Sequence, residues 1–198
     1  MTANVQPSKL LLILGVSAVG KSSLIRELKK SDSRFVYISP FITRALREGE
    51  NDKIAVSDLI MDEMNAKGEF ICVNELYGTR YGTPRRAIFD ALDMGQFPVL
   101  DWPVKQLNIM KSIFGERLYS VYVYPPDIQT ISRRLEADGR DIDGNRFRAA
   151  VEELAEFWAG MYSGLFNMSI ISTHNRLTET SFSIYSNYLS TIEESKVS

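Results

Sequence analysis

The chain has 198 residues, of which 44% are apolar, and a formal net charge of −2, so it can bury a sizeable core. Because 23 basic residues nearly balance 25 acidic ones, its charge provides no general attraction to nucleic acid or to an anionic membrane. The single cysteine, Cys72, excludes an internal disulfide and, together with an N-terminus that lacks a signal pattern, leads us to expect a cytoplasmic protein.

Apolar runs and amphipathic segments alternate along the chain. The predicted strands cover residues 9–14, 35–39, 70–74, 77–83, 97–101, 118–124 and 168–172. The predicted helices cover residues 23–30, 58–66, 85–94, 104–114, 128–137, 146–162 and 179–195. Polar segments with glycine at 40–53 and 138–145 are predicted to be loops or mobile segments. The alternation predicts an α/β fold with a parallel core sheet covered by helices on both faces.

The segment between the first strand and the first helix fits the phosphate-loop pattern, with Gly15, Gly20, Lys21 and Ser22 at the required spacing. The two glycines allow successive N–H groups to point at one anion, and the helix N-terminus adds its positive end. Lys21 can reach the outer phosphates of a nucleoside triphosphate, and the Ser22 hydroxyl can ligate Mg²⁺. The sequence therefore predicts binding of ATP or GTP.

Several charged residues could take part in phosphate chemistry. Asp101 ends a predicted strand, where a carboxylate can orient Mg²⁺, although a capping aspartate is the alternative interpretation. Guanidinium groups can stabilise the charge of a transferring phosphoryl group, but each arginine taken singly is compatible with a solvated surface. The arginines concerned flank the two polar segments and are Arg44, Arg47, Arg134, Arg140, Arg146 and Arg148.

Three other residues have weaker signals. Tyr81 lies between Arg80 and Gly82 and offers a hydroxyl donor, with core packing as the equal alternative. His174 has no histidine or cysteine cluster around it in the sequence, so a transition-metal site is not expected there. Cys72 lies in an apolar run and is expected to be a small buried hydrophobe.

In their order along the chain these motifs resemble those of the guanylate kinase family, from about residue 9 to residue 189. After the phosphate loop, the resemblance is carried by ITRALREGE at 42–50, GEF at 68–70, GTRYGTP at 78–84, VLD at 99–101, YPP at 124–126 and RRLEADGR at 133–140. It implies transfer of the terminal phosphoryl group of ATP to the phosphate of GMP, with Mg²⁺.

The resemblance also implies a P-loop kinase fold with one domain over residues 1–198. Its core would comprise residues 9–39, 84–134 and 147–198, with a monophosphate-binding subdomain at 40–83 and a lid at 135–146.

Site residues follow from the resemblance position by position. The implied ATP-binding residues are Gly15, Ser17, Gly20, Lys21, Ser22, Ser23 and Arg140. The implied ligands of the acceptor phosphate are Arg44, Arg47, Lys53 and Tyr81. The implied catalytic residues are Lys21, Arg44, Arg134 and Arg146, and the implied Mg²⁺ residues are Ser22 and Asp101.

The positions that read guanine in the family are altered in this chain. Where the family has a serine or threonine, a glutamate and an aspartate, this chain has Pro40, Cys72 and Pro103, whose side chains cannot provide the same hydrogen bonds. Glu75 or Asn74 could supply a displaced contact. Asn74 shares a strand face with Cys72, whereas Glu75 points to the opposite face, so Asn74 is the better candidate. Cys72, Asn74 and Thr83 form the predicted pocket for the rest of the acceptor.

Three functions therefore remain open. The first is a kinase for GMP or dGMP. The second is a kinase for an acceptor without a base. The loop after Glu50 is about three residues shorter than in the guanylate kinase pattern, and the TR pair at 43–44 followed by a short loop resembles the ribose 1,5-bisphosphate kinases. The third is a non-catalytic binding module similar to those of scaffold proteins, although intact Lys21 and Ser22 weigh against it. The sequence leaves the oligomeric state and the preferred triphosphate open.

Overall fold

Five parallel strands form the central sheet of the computed structural model, which describes residues 7–139 and 141–194. The strands are β1 (Leu10–Leu14), β2 (Phe35–Tyr37), β7 (Phe97–Trp102), β8 (Leu118–Tyr124) and β9 (Met168–Ile171), in the spatial order β2-β7-β1-β8-β9. Every residue of β1 is buried, as expected for the middle strand of a parallel sheet with both faces covered. The predicted α/β class and parallel core sheet are confirmed.

Helices cover the two faces of this sheet and complete two apolar cores. They are α1 (Lys21–Ser31), α3 (Arg85–Asp93), α4 (Leu107–Phe114), α5 (Ile128–Asp138), α6 (Asn145–Trp158) and α7 (Leu177–Glu194). Because side chains alternate along a strand, Leu11 and Ile13 of β1 enter one core while Leu12 and Leu14 enter the other.

A second sheet is built from the chain between β2 and α3 and has four strands. They are β3 (Phe41–Ile42), β4 (Ile54–Ala55), β5 (Phe70–Leu76) and β6 (Thr79–Pro84), in the order β4-β3-β6-β5. Helix α2 (Asp58–Ala66) packs beside β5. In the β5–β6 pair a bulge places two residues of β5, Ile71 and Cys72, opposite the single residue Thr83 of β6.

Local capping sets several helix boundaries. The Ser57 hydroxyl accepts a hydrogen bond from the Ile60 amide at 3.3 Å, and the Asp127 carboxylate accepts one from the Thr130 amide at 2.6 Å, so α2 and α5 begin where these residues predict. The predicted helix at 146–162 instead ends at Trp158, since Gly160 and Gly164 follow with φ of 77° and 70°.

Two other predicted boundaries shift. The predicted loop at 40–53 contains strand β3, which pairs with β4 and β6. The predicted helix at 104–114 begins as a 3₁₀ turn, Val104–Gln106, before α4.

None of the helices in the described part of the chain combines the length and the apolarity that crossing a bilayer requires.

Candidate active site

The loop between β1 and α1 has the backbone of an anion-binding nest. Gly15 and Gly20 have φ of 129° and 111°, and Ala18 between them has φ of 60°. A Cβ on Gly15 would lie 2.2 Å from the Val123 carbonyl oxygen, so only glycine fits there. Helix α1 begins with no side-chain cap and no acidic residue in its first turn. Its first N–H groups are therefore available to an anion.

Two cations contact the carbonyl groups of this loop. The Lys21 Nζ donates to the Gly15 oxygen at 2.6 Å and to the Val16 oxygen at 2.9 Å. The Arg134 guanidinium, from α5, donates to the Val19 oxygen at 2.8 Å and to the Ala18 oxygen at 3.2 Å. Burial lowers the pKa of Arg134. The loop therefore brings two of the predicted catalytic residues together, although they are 113 positions apart.

The serines of the phosphate loop are placed differently from one another. Ser22 is exposed in the first turn of α1, while Ser17 and Ser23 are half-buried. The Ser23 hydroxyl accepts a hydrogen bond from Arg26 at 3.2 Å. The exposed Ser22 hydroxyl is therefore the one of the three most available to a ligand.

Asp101 lies on β7 beside β1, the strand that leads into the phosphate loop. It is in register with Ile13 of β1, and its carboxylate accepts a hydrogen bond from the Tyr37 hydroxyl at 2.8 Å. Burial raises the pKa of Tyr37 far above its usual range, and the charges of Asp101, Asp52 and Glu50 add to the effect. Tyr37 therefore stays protonated and donates to Asp101.

The segment after β3 forms a charged cluster around Glu50. Arg44 pairs with both Glu50 oxygens, at 2.6 and 2.8 Å, and the Arg47 amide donates to the same carboxylate at 3.1 Å. Lys53 approaches Glu50 at 3.3 Å and Asp52 at 3.0 Å. The hydrogen bonds from Arg44 lower the pKa of Glu50 to about 2. Glu50 is therefore ionised at neutral pH and pairs with Arg44 as a carboxylate.

The charge of Asp101, on the central sheet, acts on Lys53 of this cluster. Burial alone would lower the pKa of Lys53, but the carboxylates of Asp52, Asp101 and Glu50 raise it. The Tyr81 hydroxyl lies beside Arg44 and adds to the effect of Glu50, which raises the pKa of Arg44. The Nε of Arg44 is buried without a hydrogen-bond partner in the described part of the chain. It is therefore a buried donor without an acceptor among the described residues.

The predicted pocket for the rest of the acceptor lies on the second sheet. Asn74 and Thr83 are buried, with 8% and 4% exposure, and Asn74 pairs in register with Tyr81. Cys72 is half-buried beside Asn74, and burial raises the pKa of its thiol, so it stays neutral. Glu75, the alternative to Asn74 on this strand, is exposed.

Arg146 lies in the first turn of α6. The Asp141 carboxylate accepts hydrogen bonds from the Arg146 amide at 2.8 Å and from the Phe147 amide at 2.9 Å. The Arg146 guanidinium lies over the ring of Tyr77, 4.3 Å from its centroid. Arg148 is exposed and bonds Asn145 at 3.0 Å. Arg140, which we predicted to bind ATP, lies outside the described residues.

Sequence reasoning missed several residues of this region, among them Tyr37 and Glu153. Tyr37 ends β2, and because parallel strands end at one edge of a sheet, its position carried a usable signal. Glu153 on α6 accepts a hydrogen bond from Tyr122 at 3.0 Å. Burial raises the pKa of Glu153, while Tyr122, Lys21 and Lys105 oppose that rise. No sequence pattern could have placed Glu153 near Lys21, because this depends on how α6 packs.

Comparisons with known proteins agree with this arrangement. The guanylate kinase family model matches residues 7–183. A guanylate kinase from Trichormus variabilis is 31% identical over 157 residues, which cover 76% of this chain and 78% of that protein. The crystal structure of guanylate kinase from Anaplasma phagocytophilum superposes with a TM-score of 0.69 at 22% identity and covers 91% of this chain and 84% of that one.

A more distant structure shares the fold alone. A gluconokinase from Sinorhizobium meliloti has a TM-score of 0.55 at 14% identity and covers 97% of each chain. The parallel sheet and the phosphate loop define a P-loop kinase, and the relatives make it a phosphotransferase of the nucleoside monophosphate kinase type. The chain belongs to the guanylate kinase family.

Proposed function

We propose that this enzyme transfers the terminal phosphoryl group of ATP to the phosphate of a monophosphate acceptor, with GMP as the first candidate. The observation that carries the proposal is the position of Asp101. It lies in register with Ile13, two residues before the phosphate loop, and its charge acts on Lys53 of the Glu50 cluster. The register with Ile13 and the effect on Lys53 support a donor site and an acceptor site for phosphate on either side of this carboxylate.

The donor side is the phosphate loop. Amide groups of residues 15–20 and the uncapped N-terminus of α1 would bind the phosphates of ATP, and Lys21 would leave its loop carbonyls for the outer phosphates. Ser17, Ser23 and Arg140 would complete the ATP site. Ser22 and Asp101 provide oxygen ligands of the kind that Mg²⁺ prefers. When bound, Mg²⁺ would neutralise charge on the phosphate oxygens.

The acceptor side is the Glu50 cluster. Arg44, Arg47, Lys53 and Tyr81 would bind the acceptor phosphate, and the unpartnered Nε of Arg44 is a donor suited to one of its oxygens. Glu50 fixes the Arg44 guanidinium through two hydrogen bonds. This arrangement holds the guanidinium in place before the substrate arrives.

Catalysis would consist of positioning and charge stabilisation. The acceptor phosphate oxygen attacks the terminal phosphorus of ATP, the bond to the bridging oxygen breaks, and ADP leaves. Lys21, Arg44, Arg134 and Arg146 supply positive charge for the transferring group.

We assign residues 40–83 to a monophosphate-binding subdomain and 135–146 to a lid within the single domain. Closure of the lid would exclude water and prevent hydrolysis.

One observation favours a second acceptor. The position that reads guanine by a glutamate in the family is Cys72 here, half-buried and neutral, and Pro40 and Pro103 replace the other two reading residues. Asn74 and Thr83 would line this pocket and can hydrogen-bond hydroxyl groups as well as a base. A sugar phosphate such as ribose 1,5-bisphosphate is therefore the alternative acceptor.

The test is an assay of ADP release with ATP and Mg²⁺ against GMP, dGMP, other nucleoside monophosphates and a panel of sugar phosphates. We expect transfer to at least one acceptor well above the rate of ATP hydrolysis measured without acceptor. Preference for GMP supports the first reading, and preference for a sugar phosphate supports the second. Absence of transfer to every acceptor would contradict the proposal and favour a non-catalytic binding module.

A further inference from the structure

The tip of the β5–β6 hairpin has an unusual residue for its backbone. Leu76 pairs with Thr79, so the turn consists of Tyr77 and Gly78 alone, with φ of 52° and 70°. A two-residue turn with both φ values positive is usually made by Asn-Gly or Asp-Gly. A bulky aromatic residue is strained in this conformation, so the presence of tyrosine at the first position calls for a compensating interaction.

The compensating contact comes from the first turn of α6. The guanidinium of Arg146 lies 4.3 Å from the centroid of the Tyr77 ring, within the range of a cation–π interaction. The backbone of Arg146 is itself fixed, because the Asp141 carboxylate accepts the amide hydrogens of Arg146 and Phe147. The Tyr77 ring therefore packs against a guanidinium whose backbone is held in place by Asp141.

The surroundings of Tyr77 confirm how closely the hairpin approaches this segment. Burial raises the pKa of Tyr77, Arg146 opposes the rise, and the charges of Asp141, Glu153 and Asp143 add to it. All four charged residues belong to the chain between α5 and the middle of α6. The second sheet and the start of α6 are in contact through Tyr77 and Arg146.

We propose that Tyr77 is a positioning residue that holds Arg146 in place by stacking and so ties the β5–β6 hairpin to the lid. The consequence for the reaction rests on the proposed function, in which Arg146 stabilises the transferring phosphoryl group. The aromatic face performs this role, and the hydroxyl group does not. Loss of the ring leaves Arg146 mobile and loosens the lid. Phosphoryl transfer then slows, and a larger share of the ATP is hydrolysed without transfer to the acceptor.

Two substitutions separate this role from a merely structural one. Tyr77→Asn removes the ring but suits the turn, because asparagine readily adopts positive φ. Tyr77→Phe is the matched control that keeps the ring and removes only the hydroxyl group. If Tyr77 only shaped the turn, Tyr77→Asn would leave the protein as stable and as active as the wild type.

The first measurement is hydrogen–deuterium exchange of the amides of residues 141–147 in the ligand-free protein. We expect Tyr77→Asn to raise the exchange rate of these amides about fivefold, the size of a partly desolvated cation–π contact. Tyr77→Phe should leave the rate unchanged. Unchanged exchange in Tyr77→Asn, or equal acceleration in both variants, would overturn the proposal.

The second measurement is turnover with the best acceptor found in the panel. We expect Tyr77→Asn to lower kcat about fivefold and to raise the share of ATP that is hydrolysed without transfer, while Tyr77→Phe keeps wild-type values. A wild-type kcat in Tyr77→Asn would show that Tyr77 does not position Arg146 for the reaction. If the wild type transfers to no acceptor, the proposed function fails, and the exchange measurement still decides whether the hairpin holds the lid.

Discussion

The hydroxyl of Tyr37 donates a hydrogen bond to the carboxylate of Asp101 at 2.8 Å, which joins the ends of two neighbouring strands of the central sheet. Tyr37 is the last residue of β2, from which the chain continues into the second sheet, and Asp101 is the penultimate residue of β7. The contact thus orients the carboxylate that we propose for the Mg²⁺ site. It also anchors the start of the segment that carries Arg44 and Lys53.

Removal of this hydroxyl should weaken the site without unfolding the protein. In Tyr37→Phe the Asp101 carboxylate loses a buried donor, which costs about 1 kcal/mol, so we expect turnover to fall about fivefold and the Mg²⁺ concentration for half-maximal rate to rise. Steady-state kinetics over a range of Mg²⁺ concentrations measure both. Tyr119→Phe, on the same sheet, is the matched control, and equal effects of the two changes would contradict a specific role for Tyr37.

Lys21 should be required for turnover. Lys21→Ala removes the cation that would bind the outer phosphates in the transition state, so we expect turnover to fall at least about a hundredfold. Lys30→Ala, in the last turn of the same helix with a side chain that is 75% exposed, should keep wild-type turnover. An active Lys21→Ala variant would exclude this residue from the mechanism.

The identity of residue 72 should influence which acceptor is used. Cys72→Glu places a carboxylate at the position where the family reads guanine, so we expect the ratio of kcat/KM for GMP to that for other acceptors to rise. Cys72→Gln is the control for bulk, because glutamine has the size of glutamate but no charge. If the wild type already prefers GMP strongly and Cys72→Glu harms that preference, our assignment of the pocket is wrong.

The Arg44–Glu50 pair should make stability depend on acid pH. The pKa of Glu50 is lowered from 4.5 to about 2 in the folded chain, so its contribution is complete above pH 4.5 and is lost as pH falls from there toward 2. We expect Glu50→Gln to lower the free energy of unfolding by about 1 kcal/mol near pH 7, after solvent screening. This difference from the wild type should shrink below pH 4.5.

Denaturant unfolding at several pH values measures this difference. Glu48→Gln, in the same loop but exposed, should leave the stability unchanged over the whole pH range. A difference between the wild type and Glu50→Gln that stays constant down to pH 2 would show that the ion pair does not carry the effect.

Much of the fold was predictable because the signals are local. The strand predicted at 118–124 coincides with β8, since a continuous apolar run can be read without knowing its partners. Ser57 and Asp127 mark the starts of α2 and α5 because a capping side chain bonds an amide only a few residues away. The prediction that a helix runs to residue 162 was wrong. The helix ends at Trp158, because Gly160 adopts the left-handed conformation.

The amino-acid sequence by itself determined the phosphate loop and the α/β class, because glycine spacing and apolar periodicity act over short stretches of chain. The family followed from the resemblance of its motifs, in their order along the chain, to those of the guanylate kinases. Only the tertiary structure decided that Tyr37 donates to Asp101, that the charge of Asp101 acts on Lys53, and that Arg146 stacks on Tyr77. The residues of each pair are far apart in the chain. Their contacts arise from the order of strands in the central sheet and from the approach of the second sheet to α6, which no local pattern encodes.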